Sequence, residues 1–230
     1  MTIGCIFDCD GVIVDSSALH IQAWKKLSHE EGLTFPEHLF KKSFGMKNEQ
    51  IIPQLFEWTT DQREIRRLDE RKEALYRELI RTHGAATFPG VEPFLIMLQE
   101  QRIPCVIGSS APRANVTTAL DVLGFNDFFQ AIISGEDAIL GKPDPQIFLL
   151  GAAALEMEPR QCVVFEDAHV GIAAARAGGM KVVAIANTFP RASLNEADCV
   201  VDRLDELTLV NLKHLFESSS MNRSYSHGNA

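Results

Sequence analysis

The feature that most constrains this chain is an alternation. Short apolar runs repeatedly give way to helix-length amphipathic segments. The runs at 4–7, 103–108, 131–134, 162–165, 181–185 and 199–201 predict strands, and the segments at 92–101, 112–123, 146–157 and 170–177 predict helices between them. Strand and helix in turn make βαβ units, so the chain predicts an α/β core: a parallel sheet covered by helices on both faces. In such sheets the chemistry gathers at the carboxyl ends of the strands.

One stretch breaks the alternation. Residues 16–87 carry no convincing strand. Asp61, with Glu64 three residues on, predicts a capping box that opens a helix. Ile65, Leu68, Leu75, Tyr76 and Leu79 then share one face, with Arg, Lys and Glu elsewhere, and His83-Gly84 ends the run. The reading is a helical unit over 16–87 inserted into a core made of 1–15 and 88–217. Phe88-Pro89-Gly90 returns the chain to that core. Residues 218–230, rich in Ser and Asn, read as a mobile tail.

Composition narrows the function classes. Hydrophobic residues make up 46% of the 230, enough for a packed core, and the net charge of −9 argues against nucleic-acid or anionic-membrane partners. A local group of cations can still hold an anionic substrate. No apolar run approaches the roughly 20 residues of a membrane helix, and the run at 3–7 is far too short for a signal peptide. A soluble, cytoplasmic protein is expected; its oligomeric state is not legible. The cysteines are Cys5, Cys9, Cys105, Cys162 and Cys199, an odd number without a CxxC pair, and read as reduced thiols. A metal site on Cys5 and Cys9 lacks further ligands at suitable spacing.

Four segments carry the chemistry. In Phe7-Asp8-Cys9-Asp10-Gly11, Asp8 ends a strand, and extended backbone points Asp8 and Asp10 the same way before glycine permits a sharp turn. Two adjacent carboxylates call for a cation or a proton. In Gly108-Ser109-Ser110-Ala111-Pro112, Ser109 closes a strand just before a helix start, where a hydroxyl and free N–H groups suit a phosphate. In Gly141-Lys142-Pro143-Asp144-Pro145, Lys142 sits on a constrained loop and offers a fixed positive charge. In Val163-Val164-Phe165-Glu166-Asp167, a strand runs into two acids that suit a hard cation such as Mg²⁺. Each segment has a plain alternative: an Asp-Gly turn, a helix cap, a solvated lysine, a second helix cap. All four fall at the ends of separate predicted strands, which makes the plain alternatives improbable together.

These segments, in this order, resemble the haloacid dehalogenase superfamily. The first is similar to its DxDGVxxDS signature, and the last two to its GKPxPxxF and ED-x-x-x-G-I-x-A-A-x-A-G segments. The resemblance implies a Rossmann-like, doubly wound core with an inserted helical cap. It implies Asp8 as nucleophile, forming an aspartyl-phosphate, and Asp10 as general acid and base whose backbone carbonyl helps hold Mg²⁺. Ser109 and Lys142 would bind the transferring phosphate. Asp167, with Glu166, would complete a metal site of Asp8, Asp10, Glu166 and Asp167. In the cap, His20 and Trp24 are similar to the beta-phosphoglucomutase branch, whereas Gly45-Met46-Lys47-Asn48-Glu49-Gln50 resembles plastid and cyanobacterial relatives that include ribityl-aminouracil phosphate phosphatases. His20, Gly45 and Lys47 are therefore the candidates on the substrate side. The mutase branch carries a basic residue before that glycine and an Arg shortly after it; here the places hold Phe44 and Asn48. The expectation is a Mg²⁺-dependent phosphatase of a small phosphorylated metabolite. The alternatives are a phosphosugar mutase and a non-catalytic phospholigand-binding protein.

Overall fold

The computed structural model describes residues 2–43 and 46–221. Six strands form one sheet: β1 (Gly4–Phe7), β2 (Cys105–Gly108), β3 (Ala131–Ile133), β4 (Cys162–Glu166), β5 (Lys181–Ile185) and β6 (Cys199–Val201), in the order β3-β2-β1-β4-β5-β6. Every neighbouring pair is parallel. Strands β1, β2 and β4 are buried along their whole length, as near-continuous apolar runs require when both faces are covered. The flanking helices are α4 (Val91–Glu100), α5 (Arg113–Leu123), α6 (Gln146–Ala154), α7 (His169–Ala177) and α8 (Leu209–Met221). From β1 the chain winds outward through β2 and β3. It then returns to lay β4 on the other side of β1. The strand order therefore reverses between β1 and β4, and a crevice opens beyond their carboxyl ends.

The segment expected to be strand-free holds α1 (Ser17–Glu31), a 3-10 turn at Glu37–Ser43, the single turn α2 (Asn48–Gln50) and the long α3 (Gln62–His83). Helices α1 and α3 pack on each other, and α3 also packs on α5 of the core. Trp24 of α1 is buried against the edges of Phe56 and Trp58, which anchors the cap from within. Two linkers join cap and core, and they touch where Val14 bridges Thr87.

Some boundaries moved for local reasons. Strand β2 begins at Cys105, not at 103, because Pro104 has no N–H to give the ladder. Helix α6 stops at Ala154, three residues short of the predicted end, and Glu156 turns the chain at φ 55. Helix α8 runs to Met221 and so takes up the first residues of the expected tail; 222–230 lie outside the described residues. The capping box is half made. Asp61 accepts from the N–H groups of Arg63 and Glu64, but Glu64 pairs with Arg67 instead of reaching back. All five cysteines are free thiols, and no described helix is long and apolar enough to cross a membrane.

Candidate active site

Asp8 follows β1 directly, and its N–H donates to Phe165 O at 3.0 Å, extending the β1–β4 ladder by one residue. Register then decides what it meets. Phe7 lies opposite Phe165, so the next residues of the two strands, Asp8 and Glu166, emerge together at the crevice. Lys142 arrives on the loop between β3 and α6. Its Nζ donates to Asp8 Oδ1 and to Glu166 Oε1, both at 2.6 Å, and lies 4.7 Å from the centre of the Phe148 ring. Burial pulls the lysine pKa down, but Asp8 and Glu166 push it up further, so the ammonium stays charged.

Ligating oxygens of Asp8, Glu166 and Asp167 lie within 4.8 Å of one another, and all three residues are buried. Burial raises the Asp8 pKa to about 7; Lys142 pulls it back, while Glu166 and Asp10 add to the rise. Asp167 is also raised, by burial first and then by repulsion from Glu166 and Asp8. One lysine does not neutralise three crowded carboxylates. The all-oxygen donor set and the deficit of positive charge both fit a hard divalent cation. Glu166 is the most committed of the three. Its Oε1 takes Lys142, and its Oε2 takes the backbone N–H groups of Asp167 (2.8 Å) and Ala168 (2.7 Å). Gly171 makes room for it, since a Cβ there would overlap the Glu166 carboxylate.

Asp10 behaves differently from the sequence expectation. Its carboxylate does not join the cluster. The chain bends at Cys9, between the two acids, and Asp10 Oδ1 faces the cap, 3.3 Å from both His20 Nε2 and the Tyr76 hydroxyl. Burial raises its pKa, but the hydrogen bond and charge of His20, then Ser16 and Lys72, bring it down to about 2. The two acids of the first segment therefore sit in opposite environments, one with its pKa raised and the other with its pKa lowered. That separation suits two carboxylates with different tasks.

A cavity of about 320 Å³ lies between core and cap. Ser109 and Ser110 line it from the end of β2. Ser109 Oγ accepts the N–H of Ala111 at 3.2 Å, whereas the buried Ser110 Oγ has no partner. An orphaned hydroxyl in the same cavity as a buried lysine is a ready donor for a phosphate oxygen. The strand-end logic singles out Ser109 and passes over Ser110, one residue further on. From the cap, His20 stacks flat on Tyr76 at 3.9 Å and receives Lys72 Nζ at Nδ1, 2.9 Å away. Lys72 also reaches Glu73 Oε1 at 2.8 Å. Glu73 in turn accepts from Asn48 and from Asn115 of the core. Lys47 lines the cavity, but its ammonium donates to the backbone carbonyls of Gly135 (2.9 Å) and Ala138 (3.1 Å) across the cap–core boundary. Gly45 lies outside the described residues.

A crevice at the reversal point of a parallel sheet, roofed by a helical cap and lined by acids and a buried lysine, defines a capped α/β enzyme. The family model for haloacid dehalogenase-like hydrolases matches residues 4–179, and the chain belongs to that family. It is similar to the chloroplastic 5-amino-6-(5-phospho-D-ribitylamino)uracil phosphatase of Arabidopsis thaliana, 36% identical over 220 residues, or 94% of this chain and 58% of the relative. The chain thus spans little more than half of that plant protein. It is also similar to the beta-phosphoglucomutase of Bacillus subtilis, 31% identical over 95% of this chain and 97% of the relative. Among solved structures, the beta-phosphoglucomutase of Clostridium difficile superposes with a TM-score of 0.84 at 27% identity, covering 96% of this chain and all of that one.

Proposed function

We propose that the protein is a Mg²⁺-dependent phosphatase of a small phosphorylated metabolite, of the sugar phosphate or ribityl-aminouracil phosphate type, working through an aspartyl-phosphate on Asp8. The observation that carries this reading is Lys142. It is a buried ammonium bridging Asp8 and Glu166 at the floor of a cavity that also holds the unpartnered Ser110 hydroxyl. Such a site binds a phosphoryl group against a carboxylate nucleophile.

The residues divide the work as follows. An Asp8 oxygen attacks phosphorus, and the phosphorus–oxygen bond to the leaving group breaks. The leaving oxygen takes a proton from Asp10, which the cap holds clear of the carboxylate cluster. Asp10 rests ionised; the approaching phosphate anion raises its proton affinity and so loads it as the acid. After the leaving group departs, Asp10 takes a proton from water. That water attacks the acyl phosphate, releasing phosphate and restoring Asp8. Lys142, Ser109 and Ser110 donate to the phosphoryl oxygens throughout, and the cap excludes bulk water. A divalent cation held by Asp8 and Asp167, with Glu166 and the Asp10 carbonyl, would supply further positive charge beside those oxygens.

The cap wall favours hydrolysis over mutase action. A mutase must hold a second phosphate in the cap, a task suited to a free arginine. Among the described residues no arginine lines the cavity. Asn48 is tied to Asp69 and Glu73, Lys47 to carbonyls, and Lys72 to His20 and Glu73. The mutase remains the second reading because His20 holds Asp10 and because relatives include beta-phosphoglucomutases. The test has two arms. An aryl phosphate with Mg²⁺ should release phosphate, and a panel of phosphorylated metabolites should then rank the substrates. In the second arm the protein meets beta-glucose 1-phosphate with Mg²⁺ and a trace of the 1,6-bisphosphate. Rapid glucose 6-phosphate formation with little free phosphate would reverse the ranking.

A further inference from the structure

The loop after β5 reaches across the end of β4 to the catalytic loop of β1, although the mechanism above gives it no role. Asn187 Nδ2 donates to Gly11 O at 2.8 Å, and the Thr188 hydroxyl donates to Asp167 Oδ2. Both residues are half-buried. Gly11 packs directly on the same Asp167 carboxylate, because a Cβ at Gly11 would overlap Oδ2. Three loops therefore meet at one point, and two consecutive side chains join them. Asp167 has two side-chain torsions to be fixed. With Oδ2 engaged by Thr188 and packed on Gly11, its rotation is fixed. No described donor reaches Oδ1, which stays available to a cation. The hold on Gly11 O fixes the turn that immediately follows Asp10, and with it the placing of the Asp10 carbonyl.

We propose that Asn187 and Thr188 are positioning residues for divalent-cation binding, holding Asp167 and the Gly11 turn in register with Asp8. This rests on the cation reading of the carboxylate cluster. Groups that hydrogen-bond to metal ligands and fix their orientation typically matter ~10–100-fold in metal affinity when removed. Thr188→Val keeps the shape and removes the donor. Thr188→Ser keeps the donor and removes a methyl group.

The experiment is Mg²⁺ titration by calorimetry on the full chain, without substrate, for wild type, Thr188→Val, Thr188→Ser and Asn187→Ala. Thr188→Val should bind Mg²⁺ ~10–100-fold more weakly, Thr188→Ser should stay within about threefold of wild type, and Asn187→Ala should fall between. In turnover of an aryl phosphate, Thr188→Val should need more Mg²⁺ for half-maximal rate while keeping most of its rate at saturating Mg²⁺. Equal Mg²⁺ affinity in wild type, Thr188→Val and Asn187→Ala would overturn the positioning role while leaving the phosphatase reading intact. So would a Thr188→Ser loss as large as that of Thr188→Val. Should Thr188→Val fail to fold, Asn187→Ala and Thr188→Ser carry the same comparison. Wild-type protein that binds no Mg²⁺ would instead sink the cation reading, and this proposal with it.

Discussion

The crowding at Asp8 has a cost that pH should reveal. Its pKa moves from 3.8 to about 7 on folding, because burial and the neighbouring carboxylates outweigh the pull of Lys142. A carboxyl group with a raised folded pKa binds more protons in the native state than in the unfolded one. Its contribution to stability is therefore fully present below about pH 4 and is lost as pH rises through about 7. The shift of about 3 units, at about 1.4 kcal/mol each, amounts to about 4 kcal/mol across the whole window. More than half of that falls between about pH 5 and about pH 8. Urea denaturation in EDTA across that range, on wild type and Asp8→Asn, isolates the effect as the difference between the two slopes. Mg²⁺ at about 100 times its dissociation constant should return about 2.7 kcal/mol to wild type near pH 8. Parallel slopes for the two proteins would refute the assignment of the raised pKa to Asp8. Stability indifferent to Mg²⁺ would refute the cluster as a cation site.

The remaining predictions concern turnover and the cap. Phosphatase activity should vanish with chelator and return with Mg²⁺; full turnover in metal-free buffer would contradict the reading of Asp8, Glu166 and Asp167. Asp8→Asn should fold and show no more than a trace of activity, measured as phosphate release from an aryl phosphate. Asp10→Asn should hurt alkyl phosphates far more than aryl phosphates, since poor leaving groups depend on a proton donor; equal losses would remove Asp10 from that role. Glu73→Ala leaves the buried Lys72 without its carboxylate and should destabilise the protein by roughly 3–5 kcal/mol in urea denaturation, whereas a loss below about 1 kcal/mol would show that the pair is screened.

The core was legible because its rules are local. Each strand announced itself as an apolar run, and the residue after it inherited a place in the crevice. Asp8, Ser109, Glu166 and Asp167 follow from that logic, whereas Lys142 comes from the loop between β3 and α6, and the structure brings all five to one cavity. Asp10 was misjudged in orientation for a local reason too. The two-residue repeat that aligns it with Asp8 holds only while the backbone stays extended, and the chain bends at Cys9, between the two. The loop after β5 was invisible because nothing in Asn187-Thr188 distinguishes it from any polar turn. Its role depends on strand order, which places β5 beside β4 and lets the loop reach Gly11.

The cap shows what a closer reading of periodicity offers. The buried face of α3 carries Leu68, Leu75, Tyr76 and Leu79. Position 72 lies four residues from both 68 and 76, so helical spacing puts it in the middle of that face. It holds a lysine. A charge in the centre of an apolar stripe is either a desolvation penalty of several kcal/mol or a member of a polar network. Lys72 is the second: it meets His20 and Glu73, and His20 meets Asp10. Glu73, one residue on, ties the same network to Asn115 of the core. The interruption of the stripe therefore marks where the cap meets the cavity, and the helix gives up apolar burial at that turn to place a cation near Asp10, the acid of the proposed reaction.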